Sequence, residues 1–374
     1  AEHRLPLGLK LGNGVGSIAF GVKDNGFSVF LLIFYNQVLG LDPGLVGIIL
    51  LLALLLDAMI DPLVGYWSDH TRSRWGQRHP WLYAAIIPMA LAWLLVWNPP
   101  EPIGPLTYLW LLATAFLLRA AVSCYEIPAL SITPALTSDY VERTSVTRWR
   151  YLFGWAGGLF ILVLAFAYYF VPTERYPVGL TNRDGFEAYA ITGAVMIVIS
   201  TLVAALTTHR RLARPDVASP PTHLPLRENL RRLRAILANR AYLVLLLSSL
   251  FAFINQGMSF SITSYTLTYY WELPRAGFVV YSATLFIGVV AAFLALGALQ
   301  HRFEKRTLAA VAGMISISIA VSPYLLRFAG LFPQNGSPAL IPLLFTLVTI
   351  SNGASVAAFM MAQSMTADLI EESQ

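Results

Sequence analysis

Cysteine occurs once in the 374 residues, at Cys124. That excludes a disulfide-stapled scaffold and any Cys-x-x-Cys zinc or redox centre. Charge is scarce too. Asp, Glu, Lys and Arg make up 12% of the chain, about half of the ~25% usual in soluble domains. With 57% apolar residues and a mean hydropathy of +0.63, this excludes a soluble enzyme, a disordered chain and a nucleic-acid binder of ordinary type. The six histidines (His3, His70, His79, His209, His223 and His301) fall in loops or at the ends of apolar runs, and no His-Glu-x-x-His occurs. An intramembrane metal centre is therefore not expected, and no nucleophile–base pair suggests an enzyme.

What the chain does have is long apolar runs. A helix crossing the hydrocarbon core needs about 20 mostly apolar residues. Ten runs approach this: Leu11–Gly40, Gly44–Trp67, Trp81–Trp97, Leu106–Pro134, Trp149–Phe170, Ala188–Thr208, Ala241–Leu267, Gly277–Leu299, Thr307–Phe328 and Ala339–Met361. None alternates apolar and polar residues at period two, which argues against a β-barrel. The first run is too long for a secretory signal and contains Lys23 and Asp24. The expected class is an all-α, multi-pass membrane protein.

Cation placement orients the spans. With the N-terminus inside, the inner loops hold Arg4, Lys10, Arg72, Arg74, Arg78, Arg143, Arg148, eight arginines from Arg210 to Arg240, and Arg302, Lys305 and Arg306. The outer loops hold only Arg175, Arg183, Arg275 and Arg327. This asymmetry predicts a cytoplasmic N-terminus, and its cations face an inner leaflet rather than a nucleic acid.

The longest polar stretch follows the sixth run. It divides the chain into an N-terminal six-helix bundle (1–208), a cytoplasmic central loop (209–240) and the first four helices of a C-terminal bundle (241–374). The second and eighth runs both end in a glycine-bearing turn followed by arginines: Gly65 to Arg78, and Gly297 to Arg306. Six helices apart, they suggest a parallel repeat. A six-plus-six architecture then has ten of its twelve helices here, the last two expected beyond Gln374. A ten-span protein is the alternative.

Charge at membrane depth is costly and so points to function. The first five runs hold Lys23, Asp24, Asp57, Asp61, Arg119, Glu126 and Arg150, whereas the last four, Arg327 at the outer end of the ninth aside, hold only neutral polar groups such as Asn255, Gln256 and Asn352. Asp57 and Asp61 are four apart, one turn from each other on one helix face. Two such carboxylates need a cation, a proton or a base between them, which suits a coupling site for Na⁺ or H⁺. The alternative for Asp61 is capping, or pairing with loop arginines. Asp24 suits the hydroxyls of a sugar, or else an internal ion pair with Arg150 or Arg119. Arg119 and Glu126 are seven apart and share a face, with Ser123 and Cys124 between them. That polar stripe fits a polyol or an anion, or else only ties helices together.

The string Asp57-Ala-Met-Ile-Asp61-Pro-Leu-Val-Gly65, with Ser68-Asp69-x-Thr71-Arg-Ser-Arg-Trp-Gly-Gln-Arg78-x-Pro80-Trp81, resembles the glycoside–pentoside–hexuronide:cation symporters, a branch of the major facilitator superfamily. Gly21-Val-Lys-Asp24, Tyr125-Glu-Ile-Pro128, Asp139-Tyr-x-Glu-Arg-Thr144, Arg150 with Gly157-Gly158, and Met365-Thr-Ala-Asp368 follow in the family's order. The resemblance implies the two-bundle fold of that superfamily and a sugar, glycoside or hexuronide moved with a cation. It places the cation, H⁺ or Na⁺, at Asp57, Asp61 and Ser123, and the substrate at Asp24, Glu126 and Arg150. No cofactor is implied, no metal beyond Na⁺ at Asp57 and Asp61, and the unit is expected to be a monomer in a bacterial inner membrane. Three positions depart from the pattern. Ile60 replaces an Asn that would offer an oxygen, which favours H⁺. Glu126 replaces Asp, and Leu130 replaces a Trp found in a galactoside carrier. Arg119 stands where that carrier has a small residue, and a cation there favours an anionic substrate. The alternatives are a lysophospholipid symporter of the same branch and a membrane sensor that does not transport.

Overall fold

The computed structural model describes residues 5–137, 140–212, 240–299 and 302–372. Most of the expected central loop (213–239), Asp139, and the Gln300-His301 pair of the suggested repeat lie outside the described residues. Those described form ten helical rods and no strand. They are α1 Leu7–Val38, α2 Pro43–His70, α3 His79–Trp97, α4 Pro105–Leu136, α5 Tyr140–Leu164, α6 Arg183–Leu212, α7 Arg240–Tyr265, α8 Arg275–Leu299, α9 Lys305–Phe328 and α10 Leu340–Glu372. Among the described residues, α1–α6 and α8–α10 have the length and apolarity of membrane-crossing helices. The chain is a multi-pass membrane protein of the all-helical class.

Helix starts follow local chemistry. Asp42 caps α2 by accepting from the Leu45 amide at 2.8 Å, with Pro43 in the first turn where its missing N–H costs nothing. Pro80 and Pro105 open α3 and α4 in the same way. Several helices outrun their apolar cores. For example, α5 begins at Tyr140, nine residues before the run that marks it. An apolar run shows only the part of a helix that needs lipid, and polar end turns are invisible to it.

The chain divides into two compact units, Ala1–Val217 and Ala218–Gln374. In the first, α4 packs between α2 and α3, α3 packs on α6, and α1 lies against α5 and α6. Eight aromatics from α1, α3, α6 and the turn that follows α5 form its core: Phe30 and Phe34, Trp93 and Trp97, Phe186 and Tyr189, and Phe166 and Phe170. Phe30 meets Phe170 edge-on at 4.9 Å, and Trp97 stacks on Phe186 at 5.6 Å. Trp93 donates its indole N–H to the Ala190 carbonyl at 2.9 Å. Such pairs add about 0.5–1.5 kcal/mol each beyond area burial. Sequence alone did not separate these rings from interfacial ones.

Glycines set the α1–α5 crossing. A Cβ on Gly158 would lie 2.9 Å from the Gly21 carbonyl oxygen, and one on Gly21 would strike the Gly154 carbonyl. The two backbones therefore touch, as small residues allow in membrane helices. In the second unit, α10 packs against α8 and α9. A Cβ on Gly353 would sit 2.9 Å from the Gly288 carbonyl oxygen, and Asn352 donates to the Leu285 carbonyl at 2.9 Å.

A sign of repetition emerges that the sequence motif had not supplied. α1 ends in a π-helical turn, Phe34–Val38, and such a turn also follows α7, Thr266–Tyr270, and α5, Ala165–Tyr169. The Leu39 amide donates to Phe34 and the Leu41 amide to Tyr35; the Trp271 amide donates to Thr266 and the Leu273 amide to Leu267. The turn after α5 carries only the first kind of bond, Phe170 to Ala165, so among the described residues the pair of wide hydrogen bonds is shared by the ends of α1 and α7.

Candidate functional site

Four of the intramembrane charges of the first unit form two pairs between helices. Asp57, mid-way along α2, turns toward α4. Its Oδ2 lies 3.2 Å from Arg119 Nη1, and its Oδ1 accepts from Ser123 Oγ at 3.2 Å. Arg119 and Ser123 are four apart, one turn of α4, so a single helix face presents both donors to one carboxylate. Both partners of the ion pair are largely enclosed, with side chains 16% and 17% exposed. The guanidinium also lies over the Phe27 ring of α1, 5.2 Å from its centroid.

A second pair sits along the same stripe. Arg150 of α5 donates from Nη2 to Glu126 Oε1 at 2.5 Å. Arg150 is buried, and Glu126 is part-buried. Arg119 and Glu126 do share a face of α4, as their spacing predicts, yet each reaches a different neighbour: Arg119 to α2, Glu126 to α5. Here α4 carries the unit's polar stripe between two other helices. It also continues as one helix through Pro128 to Leu136.

Asp24 is the most open member, with its side chain 55% exposed. Its nearest cation is Lys23, at 3.9 Å. It makes no ion pair with Arg150 or Arg119 among the described residues, since those arginines are engaged elsewhere. Lys23 itself is buried, with its ammonium 4.5 Å from the Phe20 ring centroid. It lies within electrostatic reach of Asp24, Arg119, Asp57 and Glu126. Although absent from the candidate site, Lys23 belongs to this charge cluster. The signal was its position as a lone lysine inside an apolar run. Asp61, one turn beyond Asp57, is exposed and has no hydrogen-bond or ion-pair partner among the described residues. The two span-2 carboxylates are thus in different surroundings, and the base that relieves Asp57 is Arg119.

Away from this cluster, Lys10 of α1 pairs with Glu142 of α5 at 2.8 Å, and the Leu5 amide donates to the same carboxylate. Among the described residues, no group of three or more His, Cys, Asp and Glu is arranged to hold a metal ion.

The fold has solved counterparts. A bacterial homologue of the human lysosomal transporter Spinster superposes with a TM-score of 0.65 at 15% identity, covering 94% of this chain and 73% of that one. At that identity the match speaks for the fold alone. In sequence, the chain is 28% identical to the inner membrane symporter YicJ of Escherichia coli, over 59% of this chain and 46% of that protein. It is 25% identical to the isoprimeverose transporter of Lactiplantibacillus pentosus, over 62% of this chain and 47% of that protein. The matches thus span about half the length of these curated relatives. The model of one family matches residues 12–374. The chain belongs to that family, MFS/sugar transport protein, and has the fold of the major facilitator superfamily.

Proposed function

We propose that the protein is a cation-coupled secondary symporter of a sugar, glycoside or hexuronide, working as a monomer by alternating access in a bacterial inner membrane with its N-terminus in the cytoplasm. The observation that carries this reading is the pair of ion pairs that α4 makes with α2 and α5, set among apolar residues. Charges that only needed to be stable would sit in water. A buried pair gains little stability over an apolar one of the same size. Kept at membrane depth, they suit ligands that come and go. In this reading Asp57, with Ser123 and Asp61, answers to the coupling cation. Glu126, Arg150 and Asp24 offer acceptors and donors to sugar hydroxyls. Arg119 adds a cation for an anionic substrate. Coupling requires that each ligand bind better when the other is bound.

The test is uptake into proteoliposomes holding the full-length protein, with neutral glycosides and glucuronides offered under an imposed H⁺ or Na⁺ gradient. Accumulation of one of these sugars driven by one gradient is expected. Flux of a lysophospholipid with no flux of any sugar would replace this reading with a lipid carrier, and no flux of either would leave a sensor.

A further inference from the structure

The surroundings of Asp57 bear on which cation it exchanges. Its two oxygens are both engaged, one by the Arg119 guanidinium and one by the Ser123 hydroxyl. Arg119 is held from two sides, by Asp57 in front and by the Phe27 ring at 5.2 Å. A hard metal ion needs a shell of oxygens. Ser123 supplies one, Ile60 supplies none, and Asp61 is exposed. A second cation about 4 Å from the guanidinium would also meet a like charge, which lowers its affinity about a thousandfold at a part-buried dielectric.

We propose that Arg119 is the resident cation of Asp57, a tethered charge that fills the place of a metal ion, so that the exchangeable coupling ion at this carboxylate is H⁺ and not Na⁺. The exchange conserves charge. When the guanidinium swings away, a proton taken from water bonds to a carboxylate oxygen, and Asp57 becomes neutral. When the guanidinium returns, that proton goes back to water. Besides Arg119 and Ser123, Lys23 of α1 lies within electrostatic reach of Asp57, while Glu126 pairs with Arg150, Asp24 lies nearest Lys23, and Asp61 on its own helix is exposed. Among them Lys23 is the further cation, and it also disfavours an added metal ion. This inference deepens the symporter reading by naming its ion and rests on it for the word coupling. The occupancy of Asp57 is testable without any transported substrate, so the two fail separately.

Full-length protein in detergent is titrated with radiolabelled Na⁺, and its thermal unfolding is followed in sodium and in choline chloride. The wild type is expected to show no saturable Na⁺ binding and the same Tm in both salts. Arg119→Gln leaves Asp57 a carboxylate without its cation. In the proposal a proton then takes the place the guanidinium left, so the folded variant gains stability as protons become available. The Tm of this variant should rise from mildly alkaline to mildly acidic buffer relative to the wild type. Adding Asp57→Asn should remove the difference, and Arg119→Lys, which keeps the charge, should behave as the wild type. Saturable Na⁺ binding by the wild type that Asp57→Asn abolishes would overturn the proposal. So would an Arg119→Gln protein whose response to acid matches the wild type's. The wild-type titration stands alone if that variant does not fold.

Discussion

Arg150 is the most enclosed cation of the site, and its carboxylate partner, Glu126, has only a part-buried side chain. Removing one member of a buried pair strands the other, at a cost of about 3–5 kcal/mol when burial is complete. Glu126 has some access to water, so Arg150→Gln should fall at or below the lower end of that range. Its larger effect should be on uptake: sugar binding is expected to be lost, whereas Arg150→Lys should retain a fraction of it. A denaturant titration and a counterflow assay on the same preparations separate the two effects. Wild-type uptake by Arg150→Gln would make the pair purely structural. The residues of this cluster were legible in the sequence because an ionised side chain in an apolar run needs a reason to be there. Their pairing was not. Asp57 and Arg119 are 62 positions apart, and Glu126 and Arg150 are 24 apart, so only packing decides who meets whom. Arg119 read alone pointed toward an anionic substrate, and Asp57 with Asp61 toward a shared ion. In the fold Arg119 faces Asp57, and Asp61 stands apart.

At the scale of the helix, the α1–α5 contact fixes where Arg150 and Lys23 stand. Gly21 and Gly158 bring two backbones into contact, and neither carbonyl can move without shifting its helix. Gly21→Ala is expected to destabilise the protein by about 1–3 kcal/mol, the cost of an added group in a packed interior. Gly47 in α2 is the control. Nothing lies within 4 Å of a Cβ there, and Ala is the better helix former by roughly 0.5–1 kcal/mol. Gly47→Ala should leave Tm unchanged or raised. Equal losses at both positions would remove the special role of the crossing. Apolar runs located the helices well, because the hydrocarbon core imposes a length. They missed the polar turns at helix ends and the π-helical turns of α1 and α7, which leave no hydropathy signal. The glycine crossing was visible only as the string Gly157-Gly158, without its partner.

For the whole molecule, the arginine asymmetry makes a prediction about sidedness. In a Cys124→Ala background, a cysteine at Thr173, between α5 and α6, should react with a membrane-impermeant maleimide added to intact cells. One at Ser73, between α2 and α3, should react only after the cells are opened. The reverse pattern would invert the topology. The division into two units follows the long polar stretch after α6, which the sequence showed as composition. The grouping of helices within each unit is a product of packing: α4 lies between α2 and α3, and α10 between α8 and α9.

The central claim is that a carboxylate at membrane depth ties cation movement to sugar movement. Gradient-driven uptake and gradient-free counterflow, measured side by side for full-length wild type and Asp57→Asn in proteoliposomes, test it most directly. Asp57→Asn is expected to lose accumulation against a gradient while sugar exchange at equal concentrations persists. Cation-driven accumulation by Asp57→Asn at the wild-type level would contradict it.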